Sequence, residues 1–104
     1  MSDDDTTRAE RKDEYETILR IVEGNTGGKQ PALARAASVK QVAISAGVTA
    51  PRSRLQAAVE NGDVLRIRDR VVRTTEPDLR DALGEINEQR QDVIDALEEV
   101  TGDA

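Results

Sequence analysis

Residues 64 to 75 read VLRIRDRVVRTT, with Arg66, Arg68 and Arg70 at every second position and Arg73 three residues further on. Side chains at i and i+2 share one face of a strand, so such a segment can present several guanidinium forks together. Forked cations suit phosphate oxygens. The alternative is that these arginines pair with carboxylates of the same chain, which carries 21 Asp and Glu. Catalytic chemistry is harder to assemble. With no Cys and no His, thiolate nucleophiles, imidazole bases and the usual zinc or transition-metal ligand sets are all missing. Gly27, Gly28 and Lys29 lack the spacing of a phosphate loop, and no strand is predicted before them. Asp3 to Asp5 and the acidic residues between 76 and 99 lack the glycine-containing spacing of a calcium loop. The expectation is a binding protein without enzymatic activity, cofactor or metal.

Charge is unevenly distributed along the chain. Residues 29 to 75 hold nine basic and three acidic side chains, whereas residues 76 to 104 hold two basic and ten acidic. A basic centre in a chain of net charge −6 is the pattern of a polyanion-binding face. The 104 residues suffice for one domain, and with Tyr15 the only aromatic residue its core must come from Leu, Ile, Val and Ala. Arginine-rich, acidic composition of this kind resembles proteins of salt-in halophilic archaea, the alternative being an ordinary acidic bacterial protein. No run is apolar enough for a membrane span, and the charged N-terminus is no signal peptide, so a soluble cytoplasmic protein is expected.

Several elements must position the arginines. Residues 1–7 have no apolar period and read as a disordered acidic tail. Tyr15, Ile18, Leu19 and Val22 form one helical stripe from about Arg8 to Glu23, stopped by GNTGG at 24–28. Residues 30–38, QPALARAAS, are open between a short helix and a short strand, with propensity on the helical side. Ser38 and Gln41 have the spacing of a capping box for a helix with Val39, Val42, Ala43 and Ala46 inward, ending at Gly47. Thr49 is the expected N-cap of a second short helix, with Leu55, Ala58 and Val59 inward and Asn61 and Gly62 at its end. Val64 to Ile67 and Val71 to Thr74 then form a hairpin hinged at Arg68, Asp69 and Arg70.

The stretch SVKQVAISAGVTAPRSRLQAAVENGDVLRIRDRVVRT, with Ala46-Gly47-Val48-Thr49 as the turn, resembles a winged helix-turn-helix. The resemblance spans about residues 15 to 75, most securely 38 to 75, and is to small haloarchaeal transcriptional regulators of the PadR and MarR type. It implies a mainly α fold with a small β-hairpin wing, a domain over 8–75, and double-stranded DNA as partner. It places a recognition helix, 50–61, in the major groove and the wing, 64–74, on the backbone or minor groove. Arg52, Arg54 and Gln56 become candidate base readers and Ser53 a phosphate contact, with Lys40 and the wing residues Arg66, Arg68, Arg70 and Arg73 completing the surface. Glu60, Asp63 and Asp69 depart from the pattern by placing carboxylates near that face.

From Asp78 to Val100, Leu79, Leu83, Ile86, Val93, Leu97 and Val100 recur at heptad-like spacings, with Arg90 the one polar position. One long helix, 78–101, is expected. Its stripe either joins a second copy in a homodimer, as in regulators that dimerise through terminal helices, or folds back on the chain near Ile18 and Val22. The functional expectation is a dimeric, repressor-like transcriptional regulator with no small-molecule ligand indicated. The alternatives are a winged-helix interaction subunit of a replication or transcription assembly, using the arginines on an acidic partner, and a non-specific chromatin-type protein.

Overall fold

Ile18 and Val22, four residues apart on one helical stripe, are fully buried and anchor α1 (Arg8–Gly24) to the rest of the chain. The computed structural model describes residues 8–86 and 89–101, so the acidic tail expected at 1–7 lies outside the described residues. After α1 come β1 (Ala34–Arg35), α2 (Ala36–Ser45), α3 (Pro51–Glu60), β2 (Val64–Ile67), β3 (Arg70–Arg73), α4 (Glu76–Glu85) and α5 (Arg90–Thr101). The result is mainly α, with five helices among the described residues and a small antiparallel sheet. Element order and sheet order are consistent with a winged-helix-like topology. No helix among the described residues is long and apolar enough to cross a membrane.

The open segment 30–38 resolves as strand followed by helix. Ala34 lies opposite Val71 and Arg35 opposite Arg70, so β1 occupies an edge of β3 and the sheet order is β1-β3-β2. The partner strand overrides the helical propensity of this alanine-rich stretch, because its edge offers backbone hydrogen bonds an isolated turn lacks. The helix that follows starts three residues earlier than the Ser38–Gln41 capping box predicts. Its N-cap is Arg35, no side chain caps it, and the Ala36 N–H donates to the Asp69 carbonyl at 2.7 Å. The hairpin turn thus supplies the acceptor a capping side chain would otherwise give.

Both short helices end in the same device. Gly47 (φ 93°) and Gly62 (φ 85°) take the left-handed conformation just past their helices. The Val48 N–H then donates to the Ala43 carbonyl and the Asp63 N–H to the Ala58 carbonyl, each at 2.9 Å, while each glycine N–H reaches one residue further along. These are Schellman closures, and Val48 delivers the accompanying apolar contact by burying itself in the core. Thr49 is not the N-cap of α3; that position is Ala50, and the threonine binds Glu14 instead. Val42 is not inward either. It is 42 % exposed, with Ile44 at 61 %, while Ala36, Val39 and Ala43 carry the buried face of α2.

The sheet divides the molecule. Val64 and Val71 face Ile18, Val22, Val39, Leu55 and Ala58, whereas Ile67 and Val72 face Leu33, Leu79, Ala82 and Val93. Period-two alternation sends neighbouring residues to opposite faces, so both faces of a small sheet are used. The second face requires a cover, and α4 and α5 provide it. The single helix expected over 78–101 is therefore two helices, separated at Ile86, whose extended backbone (φ −114°, ψ 152°) ends α4. A straight 24-residue helix would run about 36 Å, against about 13 Å for a four-residue strand. Only a fold brings both Leu79 and Val93 onto so short a sheet. Of the stripe expected at a dimer interface, Leu79 and Val93 are fully buried and Leu83, Ile86 and Leu97 pack against the same core, leaving Val100 40 % exposed.

Candidate nucleic-acid interface

Helix α3 is held by Leu55 and Ala58, which are buried against α1 and α2. That places Arg52, Ser53 and Gln56 in solvent on its outer side. Gln56 Nε2 donates to Glu60 Oε2 at 3.1 Å one turn on, which occupies Glu60 within its own helix. Arg54 behaves differently. Its side chain is 12 % exposed and its Nε lies 3.3 Å from Glu14 Oε1 on α1. Position 54 stands four residues before buried Ala58, on the same stripe, so it points to α1 and not to the outer face. The expectation that Arg54 reads bases is corrected: it ties two helices together.

Glu14 is the centre of that tie. Burial alone would raise its pKa, but the Thr49 N–H (3.2 Å), the Thr49 hydroxyl (2.9 Å) and Arg54 outweigh burial and hold the carboxyl below its ordinary value. One guanidinium nitrogen, Arg54 Nη2, is buried with no hydrogen-bond partner among the described residues. At the other end of α3, the Tyr15 hydroxyl donates to Asp63 and accepts from Asn61 Nδ2 at 3.2 Å. Burial first, and then the Asp63 carboxylate, raise the tyrosine pKa. Asp63, expected as a carboxylate on the binding face, is thereby engaged with α1.

The hairpin does not present its arginines on one side. Its turn is two residues, Arg68 and Asp69, with β3 beginning at Arg70, and Arg68 takes a positive φ of 59° at the first turn position. Counting alternate positions through the turn fails, because the chain reverses there. Arg66 pairs with Val71 and Val64 with Arg73, which puts Arg66 and Arg73 on the face toward α1–α3. Arg70 lies opposite Ile67 and Arg35, on the α4–α5 face. Arg66 is exposed, and its Nε donates to the Arg68 carbonyl at 2.8 Å, bracing the turn. Arg73 is half-buried, donating from Nε to the Asp63 carbonyl at 3.2 Å. Arg68 faces Gln89, whose amide, oriented oxygen-first, accepts from Nε at 3.3 Å and Nη2 at 3.2 Å. Lys40 is half-buried on α2.

Of the predicted contact set, the exposed members are therefore Arg52, Ser53, Gln56, Arg66 and Arg68, with Lys40 and Arg70 half-exposed. Among the described residues, no ion pair involves Arg35, Lys40, Arg52, Arg66, Arg68 or Arg70, whereas Arg54 is bridged to Glu14 and Arg80 to Glu76. Arg35 is the basic residue that sequence reasoning missed. It is exposed directly beside Arg70, and its place depended on the strand that the alanine-rich segment concealed. Among the described residues, no group of three or more carboxylates is arranged to hold a metal ion. No family model, curated protein or solved structure matches this chain.

Proposed function

We propose that the chain is a winged helix-turn-helix protein that binds double-stranded DNA, with the outer side of α3 in the major groove and the hairpin end against the phosphate backbone. One observation carries this reading: Arg52, Ser53 and Gln56 stand exposed on the second helix of a Gly47-turned helix pair whose inner side is locked by Leu55 and Ala58. In this docking Arg52 forks onto guanine, Gln56 onto adenine, and Ser53 takes a phosphate. Arg66 and Arg68 meet the backbone, and Lys40 adds charge from α2. The chain acts as a transcriptional regulator by occupying its site. The reading requires no second copy, since most of the stripe expected at a dimer interface is used inside the domain.

A second reading, docking onto a protein, has its own support in Val42 and Ile44, apolar and exposed on α2. Fluorescence anisotropy with random and promoter-derived duplexes across a salt series separates the two. DNA binding predicts that Arg52→Ala lowers selectivity by about fivefold to a hundredfold, and that Arg66→Ala lowers the salt slope by about one. No binding by the folded protein at any salt overturns the proposal and leaves the protein-docking reading.

A further inference from the structure

We infer a phosphate-type oxyanion site where β1, β3 and the start of α2 meet, gripped by Arg35 and Arg70. The two arginines are directly opposite in the register of β1 and β3, on the same face of the sheet. Directly opposed side chains have Cβ atoms about 5 Å apart, and like charges so placed repel. A pairing of this kind is ordinarily relieved by a carboxylate. Here none provides it: among the described residues neither arginine has an ion pair. The acids that share the adjoining crevice with Arg70 are Glu85, which accepts from the Ala32 N–H at 3.1 Å, and Asp69, and neither forms an ion pair with it.

Both arginines line one cleft of about 350 Å³, together with Ser38 and Gln30. Ser38 belongs to the first turn of α2, where no side chain caps the helix and the Asp69 carbonyl takes only the Ala36 N–H. The N–H groups of Ala37 and Ser38 have no intrahelical acceptor at that position, and of these two residues Ser38 lines the cleft. Two arginines and Ser38, with its hydroxyl and its backbone N–H, thus border one small space. A tetrahedral dianion satisfies them together, because its oxygens accept from several directions at once and its charge offsets the repulsion between the arginines. The sequence indicated no such cleft, since Arg35 and Arg70 are 35 positions apart and meet only through β1.

The site does not depend on DNA binding by α3. Its ligand is a phosphate group, supplied by the DNA backbone or by a free phosphomonoester or inorganic phosphate. The test is a titration of the whole chain with inorganic phosphate at constant ionic strength, followed by backbone amide NMR, with chloride as the control anion. Saturable shifts at Ala37 and Ser38 that chloride does not produce are expected. Arg35→Gln and Arg70→Gln should each weaken them by about tenfold or more. Arg35→Lys, which keeps the charge and loses the fork, should fall between, and Arg80→Gln on α4 should leave them unchanged. Spectra that match the wild type elsewhere establish that each variant is folded. Shifts that stay linear in phosphate, or survive both glutamine variants, overturn the site.

Added random duplex then distinguishes the sources. If it displaces phosphate and Arg35→Gln lowers the salt slope of DNA binding, the backbone supplies the group. If the phosphate shifts persist beside bound or unbound duplex, a free phosphate compound does. Failure of the DNA reading would leave the phosphate titration intact, and failure of this site would leave the effect of Arg52→Ala intact.

Discussion

On one face of the sheet, Val64 and Val71 pack among Ile18, Val22, Val39 and Leu55, and the helices that bury them turn Arg52, Ser53 and Gln56 to solvent. On the other face, Leu33, Ile67 and Val72 pack beneath Leu79 and Val93, and those helices turn Asp92, Asp95, Glu98 and Glu99 outward. The two halves share a scaffold and differ in the charge they display. The difference teaches how a chain of net charge −6 can keep a basic surface clear. Most of its C-terminal carboxylates sit on helices that the sheet separates from α3, so they do not reach Arg52 or Arg66; Arg54 alone of the α3 arginines is paired, with Glu14 of α1. The exception is the hairpin tip, where Arg68 meets Gln89 and Arg70 shares a crevice with Glu85.

The largest effects break the comparison at its cores. Leu79→Ala in the α4–α5 half should cost about 2 to 5 kcal/mol, as should Leu55→Ala in the other half, because each empties a fully enclosed site. Urea unfolding measures both. Sedimentation adds the discriminating readout: an α4–α5 stripe used inside one chain predicts that Leu79→Ala lowers stability without changing the mass of the native species. A stable wild-type dimer that dissociates in the variant would return the stripe to the interface it was first expected to form.

The next effect separates two arginines two residues apart. Arg54→Ala leaves Glu14 nearly buried without its partner, and should cost about 1 to 3 kcal/mol of stability. Its effect on DNA affinity at a temperature where it remains folded should be small. Arg52→Ala should do the reverse, leaving the urea midpoint in place and weakening DNA binding. Equal loss of DNA binding in both variants would mean that Arg54 leaves Glu14 on complex formation, and would put it back among the base readers.

Those two arginines also mark what the sequence made legible. The stripe of α1, the glycines closing α2 and α3, and the hairpin are local signals carried by residues close in the chain, and each is present in the fold. Arg54 does not join Arg52 and Gln56 as an outward base reader, because its spacing to Ala58 puts it on the inward stripe. Strand β1 was open because two residues form a strand only when a partner edge is there, and that edge is 35 positions away. The capping box at Ser38 and Gln41 was sound chemistry in the wrong place, since the Asp69 carbonyl starts the helix sooner. The hairpin arginines divide between faces because period two does not continue through a reversal. The long terminal helix broke because its stripe had a short sheet to cover, a dimension that heptad spacing does not contain.

The smallest effects concern pH, and they carry opposite signs in the two places where α1 meets its neighbours. Glu14, which grips Thr49 and Arg54, has a pKa lowered from 4.5, so it contributes stability above that value and loses it as pH falls through the folded pKa. Glu23, near the other end of α1, has a pKa raised from 4.5, first by burial and then by its hydrogen bond to Asp78, with Arg73 opposing. Its protonated form is favoured in the folded state. The associated stability is full below 4.5 and declines as pH rises through the folded pKa, leaving two carboxylates facing each other near neutrality. Asp78 is itself buried and accepts from the Thr75 hydroxyl at 2.9 Å at the start of α4, so this contact joins the two halves of the molecule. Glu23→Gln keeps the amide as a donor to Asp78 and removes the second charge. It should raise the urea midpoint at pH 7 and leave it nearly unchanged near pH 4, whereas Glu14→Gln should lower it at pH 7 and lose that effect on acidification. Parallel pH profiles for the two variants would show that the two ends of α1 are not held by opposite electrostatics, and that α4 is fixed to α1 by packing alone.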